Sequence, residues 1–473
     1  MYDILIIGGG VTGTAIAREL SKYQLKIALL EKEAELAFGV SKSNSGIVHP
    51  GTQNLPDSLK GRLCVRGNKL LRKLTKEIGL DFKQVGELIV ITDEAELPAL
   101  QKLLHEGRQL GVRGLKIVDR NWLAKKEPNL SPEICYALYA PTAGIISPYR
   151  LVYDLAENAA ANGVDIFTEQ KVIGITKTDH FVVKTDKQEF TARYIINAAG
   201  LYADEVAVLY GVTDFKITPR KGEEYLLDKK RENLTKHIIF PLPTAKGKGT
   251  LVIKTSDGNP MIGPTAEDIE DKTDLSTTEA GYRKVIENVR RLVPQINTDD
   301  IIAYFAGLRP VSGTDFIIRA EANNAITVAG IQSPGLTAAP AIAEYVCALL
   351  KQNGLTLCRK KHFQKHRPAT PHLFTADTKT ISKLIEKNPA YGDIVCRCEM
   401  VSAQEIREAI RRGAKTLDGV KFRTRAQAGR CHGGFCTTRI LKILAEELHL
   451  SLTAVSKKGK GSELVRESLR EKL

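Results

Sequence analysis

Several absences narrow what this 473-residue chain can be. No positively charged leader stands ahead of an apolar segment. The chain opens directly on Ile4-Leu5-Ile6-Ile7 and a glycine cluster, which predicts a protein that is not secreted. No apolar run is long and unbroken enough for a bilayer span. The most apolar stretch, Ala325 to Leu350, is interrupted by Gln332, Ser333, Pro334, Gly335 and Glu344, and so predicts a strand, a turn and a buried helix. Any membrane contact is then peripheral or through a partner. Aromatic residues make up 6% of the chain and are not interleaved with basic ones, so a net charge of +14 does not predict a nucleic-acid partner. Internal repeats are absent as well.

The hydrophobic and charged fractions are those of an ordinary soluble protein, and the length allows two or three domains. Half of the surplus charge lies at one end: from Tyr391 onward there are 17 Lys/Arg against 10 Asp/Glu, so 17 − 10 = +7. An anionic metal cluster or an acidic redox partner accounts for such a concentration. The eight cysteines divide in the same way. Cys64, Cys135, Cys347 and Cys358 are scattered, as expected of a reducing, cytoplasmic compartment. The other four form Cys396-Arg397-Cys398 and, after a spacer of 32 residues, Cys431-His432-Gly433-Gly434-Phe435-Cys436. Paired thiols at this spacing suit an iron-sulfur centre or zinc, with free or disulfide-bonded cysteines as the remaining reading. Gly433 and Gly434 let backbone N–H groups approach the sulfurs. Ser402-Ala403-Gln404-Glu405 between the pairs predicts a capped helix start.

At the other end, residues 2 to 31 read as strand, glycine turn, helix and strand. Gly8-Gly9-Gly10-Val11-Thr12-Gly13 supplies GxGxxG at the turn, and Glu31 ends the next strand where a ribose would be held, with Lys32 beside it. Unpaired N–H groups at the helix start would face a pyrophosphate. Helical patterns follow around Gly67 to Ile78, Leu97 to Leu110 and Leu151 to Asn162. Strands are expected at Glu87 to Ile91, Asp165 to Thr168, Tyr194 to Asn197, Glu224 to Leu227, Thr250 to Ile253 and Ala325 to Ala329. The pattern predicts an α/β chain in which a nucleotide domain is interleaved with a β-rich one.

The loop Ser43-Asn44-Ser45-Gly46-Ile47-Val48-His49, taken with the glycine motif, resembles the FAD-dependent oxidoreductase family that includes D-amino acid oxidase, sarcosine oxidase, glycerol-3-phosphate dehydrogenase and L-2-hydroxyglutarate dehydrogenase. The likeness covers residues 1 to about 352. It implies FAD contacts from Gly8, Gly10, Thr12, Gly13, Glu31, Lys32, Ser43, Asn44, Ser45 and Gly46. It also implies contacts from Val172, whose backbone would meet the adenine, from Ala199 and Gly200 over the pyrophosphate, and from Gly330, Gly335, Leu336 and Thr337 at the flavin. The acidic residue common near Gly330-Ile331 in the family is missing here. On the substrate side, Arg309 in Ala306-Gly307-Leu308-Arg309-Pro310 resembles the family's anion clamp, and a guanidinium fork suits a carboxylate or a phosphate. His49 is the expected proton acceptor or a flavin contact, Tyr225 a substrate contact or a core residue, and Lys254 a residue near the flavin.

From Asp393 to about Leu444 the chain resembles the bacterioferritin-associated ferredoxin domain, which implies a [2Fe-2S] cluster on Cys396, Cys398, Cys431 and Cys436. Such a domain is appended to the large subunit of anaerobic glycerol-3-phosphate dehydrogenase, whereas the loop before His49 looks more like L-2-hydroxyglutarate dehydrogenase. The expected activity is therefore oxidation of glycerol 3-phosphate to dihydroxyacetone phosphate. The alternatives are a 2-hydroxy acid substrate or a flavin and iron-sulfur module without turnover. The electron-accepting partner would be a flavoprotein, a quinone-linked subunit or another redox subunit, reached in the cytoplasm or at the inner face of the membrane. The expected domains are FAD-binding over 1-80, 141-215 and 301-355, and substrate-binding over 81-140 and 216-300. A linker follows over 356-390, where His362, His366 and His372 read as solvated, then a [2Fe-2S] domain over 391-450 and a tail over 451-473 ending in a short surface helix.

Overall fold

The computed structural model of the protein describes residues 1–243, 247–322 and 324–467. Tyr2–Ile7 lies at the centre of an eight-stranded sheet, parallel to Ile27–Leu30 on one side and to Glu189–Asn197 on the other. Val164–Phe167 continues the parallel run at one edge. Ala325–Ala329 continues it at the other, followed by the antiparallel Ile317–Ala320. Both faces are covered, which is why Ile4, Leu5 and Ile6 form an unbroken apolar run with no alternation. Helices Val11–Leu20, Pro148–Ala161 and Gly335–Gln352 pack on one face, and the Val172–Lys177/Phe181–Thr185 hairpin extends over the other. Burying Ile4 or Ile6, each fully hidden, contributes about 1.5–3 kcal/mol, so alanine at either would open a cavity under the glycine turn.

The second sheet has nine strands, with Thr218–Leu227, Pro260–Gly263, Leu251–Lys254, Ile238–Pro241, Glu87–Ile91 and Tyr136–Ala140 forming its body. Helix Glu279–Leu292 closes its outer face through Val285, Ile286 and Val289. The strand Ile301–Val311 belongs here, because it pairs with Thr218–Leu227 from Thr218↔Val311 to Leu227↔Ile301. The boundary expected at residue 301 therefore shifts. A long strand needs a ladder partner for its backbone, and the chain rejoins the first sheet only at Ile317.

The segment expected to be a linker is instead packed down. Arg367, 9% exposed along its side chain, lies 3.2 Å from Asp154 and donates to Glu157 at 2.7 Å, and Asp377 caps a helix over Thr378–Lys387. The cysteine domain holds helices Ala403–Arg411, Leu417–Thr424 and Thr437–Leu448 around Ile406, Ile410, Ile440 and Leu444. Ser402 and Glu405 form the capping box that their spacing predicts. Past residue 450 the chain is not a free tail: Val455 joins this core, and Ser456 O accepts from Leu417 N. Its described part, up to Glu467, contains no α-helix, and residues 468–473 of the expected surface helix lie outside the described residues.

Candidate active site

Between the two sheets lies a cavity of about 1570 Å³. That exceeds the roughly 300–1,000 Å³ of a single small-molecule site, so there is room for a dinucleotide and a substrate together. Its inner end is built from the glycine turn. Gly8 has φ +113°, and a Cβ there would stand 2.3 Å from Ala198 O, so only glycine lets the two strand ends approach. Gly10 and Thr12 line the cavity, while Gly13 lies behind it, where its missing Cβ admits Gly8 O. Glu31 is buried at the rim, accepting from Gly9 N at 2.8 Å and from Glu33 N at 2.9 Å, and burial raises its pKa. Lys32, Ser43, Asn44, Ser45, Ala199, Gly200, Gly335 and Leu336 also line the space. The helix Gly335–Gln352 begins there without a side-chain cap among the described residues, presenting the positive end of its dipole.

Besides Gly13, four of the expected cofactor residues sit outside the lining. Gly46 turns the chain against Ile146 O, Val172 starts the outer hairpin, and Gly330 (φ +65°) lies one residue before the lining residue Ile331. Thr337 acts from behind, accepting the His49 N–H at 2.9 Å and donating to Ile47 O at 3.2 Å. It anchors the loop rather than facing the cavity.

At the outer end His49 is buried, with Nδ1 3.4 Å from Lys248 Nζ and Nε2 3.4 Å from Ser333 Oγ. Burial first, then Lys248, push its pKa well below 6.5, so the ring is a neutral base. Both contacts are long, which leaves either nitrogen free to exchange its neighbour for a substrate hydroxyl. Lys248 is half-buried, and desolvation lowers its pKa to about 8. Arg309 reaches the same space and donates Nη2 to Thr265 O at 2.8 Å.

Tyr225 and Lys254 are not brought to this site. Along Thr218–Leu227 the side chains alternate, so Arg220, Gly222 and Glu224 line the cavity while Tyr225 points to the opposite face, where its hydroxyl donates to Glu223 at 3.0 Å. Lys254 faces Glu232 at 3.7 Å, away from the lining residues. In their place stand Glu224 and Lys248, together with Gln53, whose amide O and N are buried and have no hydrogen-bond partner among the described residues. The signal for Glu224 was available in the strand's period of two. For Lys248, in an irregular loop, there was none.

The four clustered cysteines form two pairs, each taking one thiol from either motif. Cys398 and Cys431 have sulfurs 3.6 Å apart, and Cys396 is hydrogen-bonded to Cys436. Backbone N–H groups of Glu399 and Gln427 point at Cys396, and those of Gly433, Gly434 and Phe435 at Cys431. Two close thiol pairs with N–H donors around the sulfurs suit an iron-sulfur group, which Cys396, Cys398, Cys431 and Cys436 would hold as thiolates.

Residues 3–349 match the family model "FAD dependent oxidoreductase", and residues 394–446 match "BFD-like [2Fe-2S] binding domain". The chain belongs to the FAD-dependent oxidoreductases. It is 43% identical to a glycerol 3-phosphate dehydrogenase of Caloramator mitchellensis over 98% of both chains. It is 34% identical to human mitochondrial L-2-hydroxyglutarate dehydrogenase over 60% of this chain and 63% of that one. Among solved structures, the dithionite-reduced, FAD-bound L-alpha-glycerophosphate oxidase of Mycoplasma pneumoniae superposes with a TM-score of 0.75 at 34% identity, covering 79% of this chain and 99% of that one. FAD is thus the cofactor of the large cavity, and the cysteine domain is the [2Fe-2S] binding domain.

In this flavin-dependent oxidoreductase the cluster domain is locked to the flavin domain. Glu35, 1% exposed, accepts from Lys415 N at 2.6 Å and Thr416 N at 3.1 Å, and pairs with Arg423 Nη1 at 2.9 Å. Phe422 meets Phe38, a cavity-wall residue, with ring centroids 5.9 Å apart. A second joint surrounds Arg425, which reaches Asp257 at 3.4 Å and Asn259 at 3.1 Å on the substrate domain, and Glu399 at 3.3 Å beside Cys398. Among the described residues no helix is long and apolar enough to cross a membrane.

Proposed function

We propose that the protein oxidises glycerol 3-phosphate to dihydroxyacetone phosphate and passes the electrons to a separate redox partner. The observation that carries this reading is the full-length likeness to a glycerol 3-phosphate dehydrogenase, which includes the cluster domain. The cationic pocket of Arg309 and Lys248 supports it, since a phosphate needs a guanidinium or ammonium where water is excluded. His49 takes the proton of the C2 hydroxyl, which its neutral ring can accept across the physiological range. Arg309 and Lys248 hold the phosphate and so fix the carbinol carbon in the cavity. Bound FAD supplies the hydride acceptor, and the [2Fe-2S] cluster on Cys396, Cys398, Cys431 and Cys436 supplies a one-electron outlet. The partner is an acceptor subunit or a membrane-linked carrier that meets the basic cysteine domain.

Anaerobic addition of glycerol 3-phosphate to the purified holoenzyme tests the reading: the flavin spectrum bleaches. No bleaching with glycerol 3-phosphate, but bleaching with L-2-hydroxyglutarate, would replace the substrate. Bleaching with neither favours a module without turnover. Cys431→Ser should leave bleaching intact and slow electron transfer to an external acceptor.

A further inference from the structure

The four cluster cysteines are not equally covered. Cys396 and Cys436 are buried, whereas Cys398 is exposed and Cys431 partly so. On the covered side Glu399, also buried, is pinned by Lys229 of the substrate domain at 2.7 Å and by Arg425 at 3.3 Å. Beside the open pair stands Phe435. Its backbone N–H points at Cys431, yet its side chain is 83% exposed, the most exposed large apolar side chain among the described residues. Met400, two residues past Cys398, is exposed as well. Apolar side chains scattered singly over a surface mean little, but here two flank the open end of a redox site. Phe435, Thr438, Arg439 and Lys442 follow at helical spacing and are all exposed, so they form one stripe at the helix Thr437–Leu448, whose Ile440, Ile443 and Leu444 are turned into the domain core. The carboxylates nearby are neutralised, Asp393 by Arg439 at 2.6 Å and Glu446 by Arg407 at 3.9 Å. Arg397, exposed between Cys396 and Cys398, and Lys442 have neither a hydrogen bond nor an ion pair among the described residues. The uncompensated charge of this face is therefore positive.

Resting on the reading of the cluster as the electron outlet, we propose that Phe435, Met400, Arg397 and Lys442 form the docking face for a separately folded acidic protein with a one-electron centre, Phe435 being its apolar anchor. Aromatic, methionine and arginine side chains are the ones enriched at protein interfaces, and a ring on a loop fixed by its own ligand duty docks at little entropic cost. Cations at the rim of an anionic thiolate centre admit a negatively charged protein that the centre alone would repel. A lipid surface fits less well. The apolar side of the helix is turned into the core, so only Phe435 and Met400 would enter a bilayer, and a small apolar anchor with a few cations attaches marginally. Each glycerol 3-phosphate oxidised releases two electrons and two protons. The protons go to water, and each carrier arrives oxidised and leaves with one electron, so two visits clear one turnover.

Cytochrome c and its succinylated form, which share one haem but differ in the sign of their charge, are the probes. Binding to the oxidised holoenzyme is measured by calorimetry. Electron transfer is measured in anaerobic stopped flow after reduction with glycerol 3-phosphate or, separately, with dithionite whose excess is removed. The native protein should bind and reduce the succinylated form at least about tenfold better at low ionic strength, and added salt should collapse that ratio. Phe435→Ala should weaken binding of the succinylated form about tenfold or more, with the cluster spectrum and flavin bleaching unchanged. Lys442→Glu should cut the preference between the two forms about threefold or more. Equal binding of the two forms, or a preference for unmodified cytochrome c, overturns the proposal. So does a Phe435→Ala variant that keeps its cluster and binds as the native protein does. If that variant loses its cluster signal, Lys442→Glu decides, because it lies on the helix outside both ligand loops, and an unchanged preference overturns the proposal. Phe435-dependent sedimentation with phosphatidylglycerol vesicles, or a Phe435-dependent dimer in ultracentrifugation, with no cytochrome preference, assigns the face to lipid or to a second copy and overturns it too. Electron transfer after dithionite but not after glycerol 3-phosphate overturns the substrate reading and leaves this face standing.

Discussion

Replacing Glu35 by alanine should uncouple the cluster domain from the flavin domain while leaving each folded. The carboxylate is 1% exposed and collects the N–H groups of Lys415 and Thr416, the Thr416 hydroxyl at 3.2 Å and Arg423 Nη1 at 2.9 Å. Its loss leaves the Arg423 guanidinium, 10% exposed along its side chain, without this ion pair, and orphans two backbone donors. Breaking a buried pair from one side costs about 3–5 kcal/mol, of which the orphaned donors account for part. At about 1.4 kcal/mol per decade, the docked-to-undocked ratio drops on the order of 10²–10⁴-fold. Calorimetry of the holoenzyme should then show the cluster domain melting ahead of the flavin domain. In stopped flow, substrate should still bleach the flavin within about threefold of the native rate, whereas reoxidation by an external one-electron acceptor should slow at least about tenfold. One unfolding transition at the native temperature, with unchanged reoxidation, would refute the claim that this contact holds the domains together.

Gly8→Ala should yield protein without FAD, because the new Cβ meets Ala198 O at 2.3 Å in a backbone conformation at φ +113°; yellow protein with full flavin content would contradict it. His49→Ala should keep FAD but slow its reduction by substrate about 10²–10⁴-fold, and a change confined to dissociation constant would assign the residue to binding instead. The profile of kcat/KM with pH should fall as pH rises through about 8. Below that value Lys248 is charged and Glu224 neutral; above it Lys248 loses its positive charge and Glu224 gains a negative one, and both changes oppose an anionic substrate. His49, held well below 6.5, adds no limb in that range, so a flat profile to pH 9.5 would count against the site as described.

The parts of the site that were legible are those in which local geometry and chemistry coincide. Gly8, Gly10 and Glu31 belong to a turn whose conformation and ligand are set within about thirty residues, and the two cysteine motifs carry their ligands on their own loops. Arg309 was recognisable through its strand motif. Tyr225 was the wrong neighbour of the right residue, because strand period assigns alternate residues to opposite faces without saying which face meets the cavity. Lys254 lies in a regular strand and pairs with Glu232, whereas Lys248 sits in the preceding irregular loop, where no periodicity directs a side chain. The segment 356–390 looked like a linker because its composition is polar, but Arg367 finds Asp154 and Glu157 from a distant helix.

By itself, then, the sequence determined the nucleotide turn, the alternation of an α/β flavin domain with a β-rich one, and a separate thiolate site, since each depends on residues close in the chain. Tertiary structure decided that Glu224 and not Tyr225 faces the cavity, that Lys248 stands beside His49, and that the cluster domain is seated on Glu35 and Arg425 instead of hanging on a tether. Those features join residues more than a hundred positions apart. Which of them meet depends on the register of the long strand pair and the burial of unlike charges against each other, and neither is encoded in any local window.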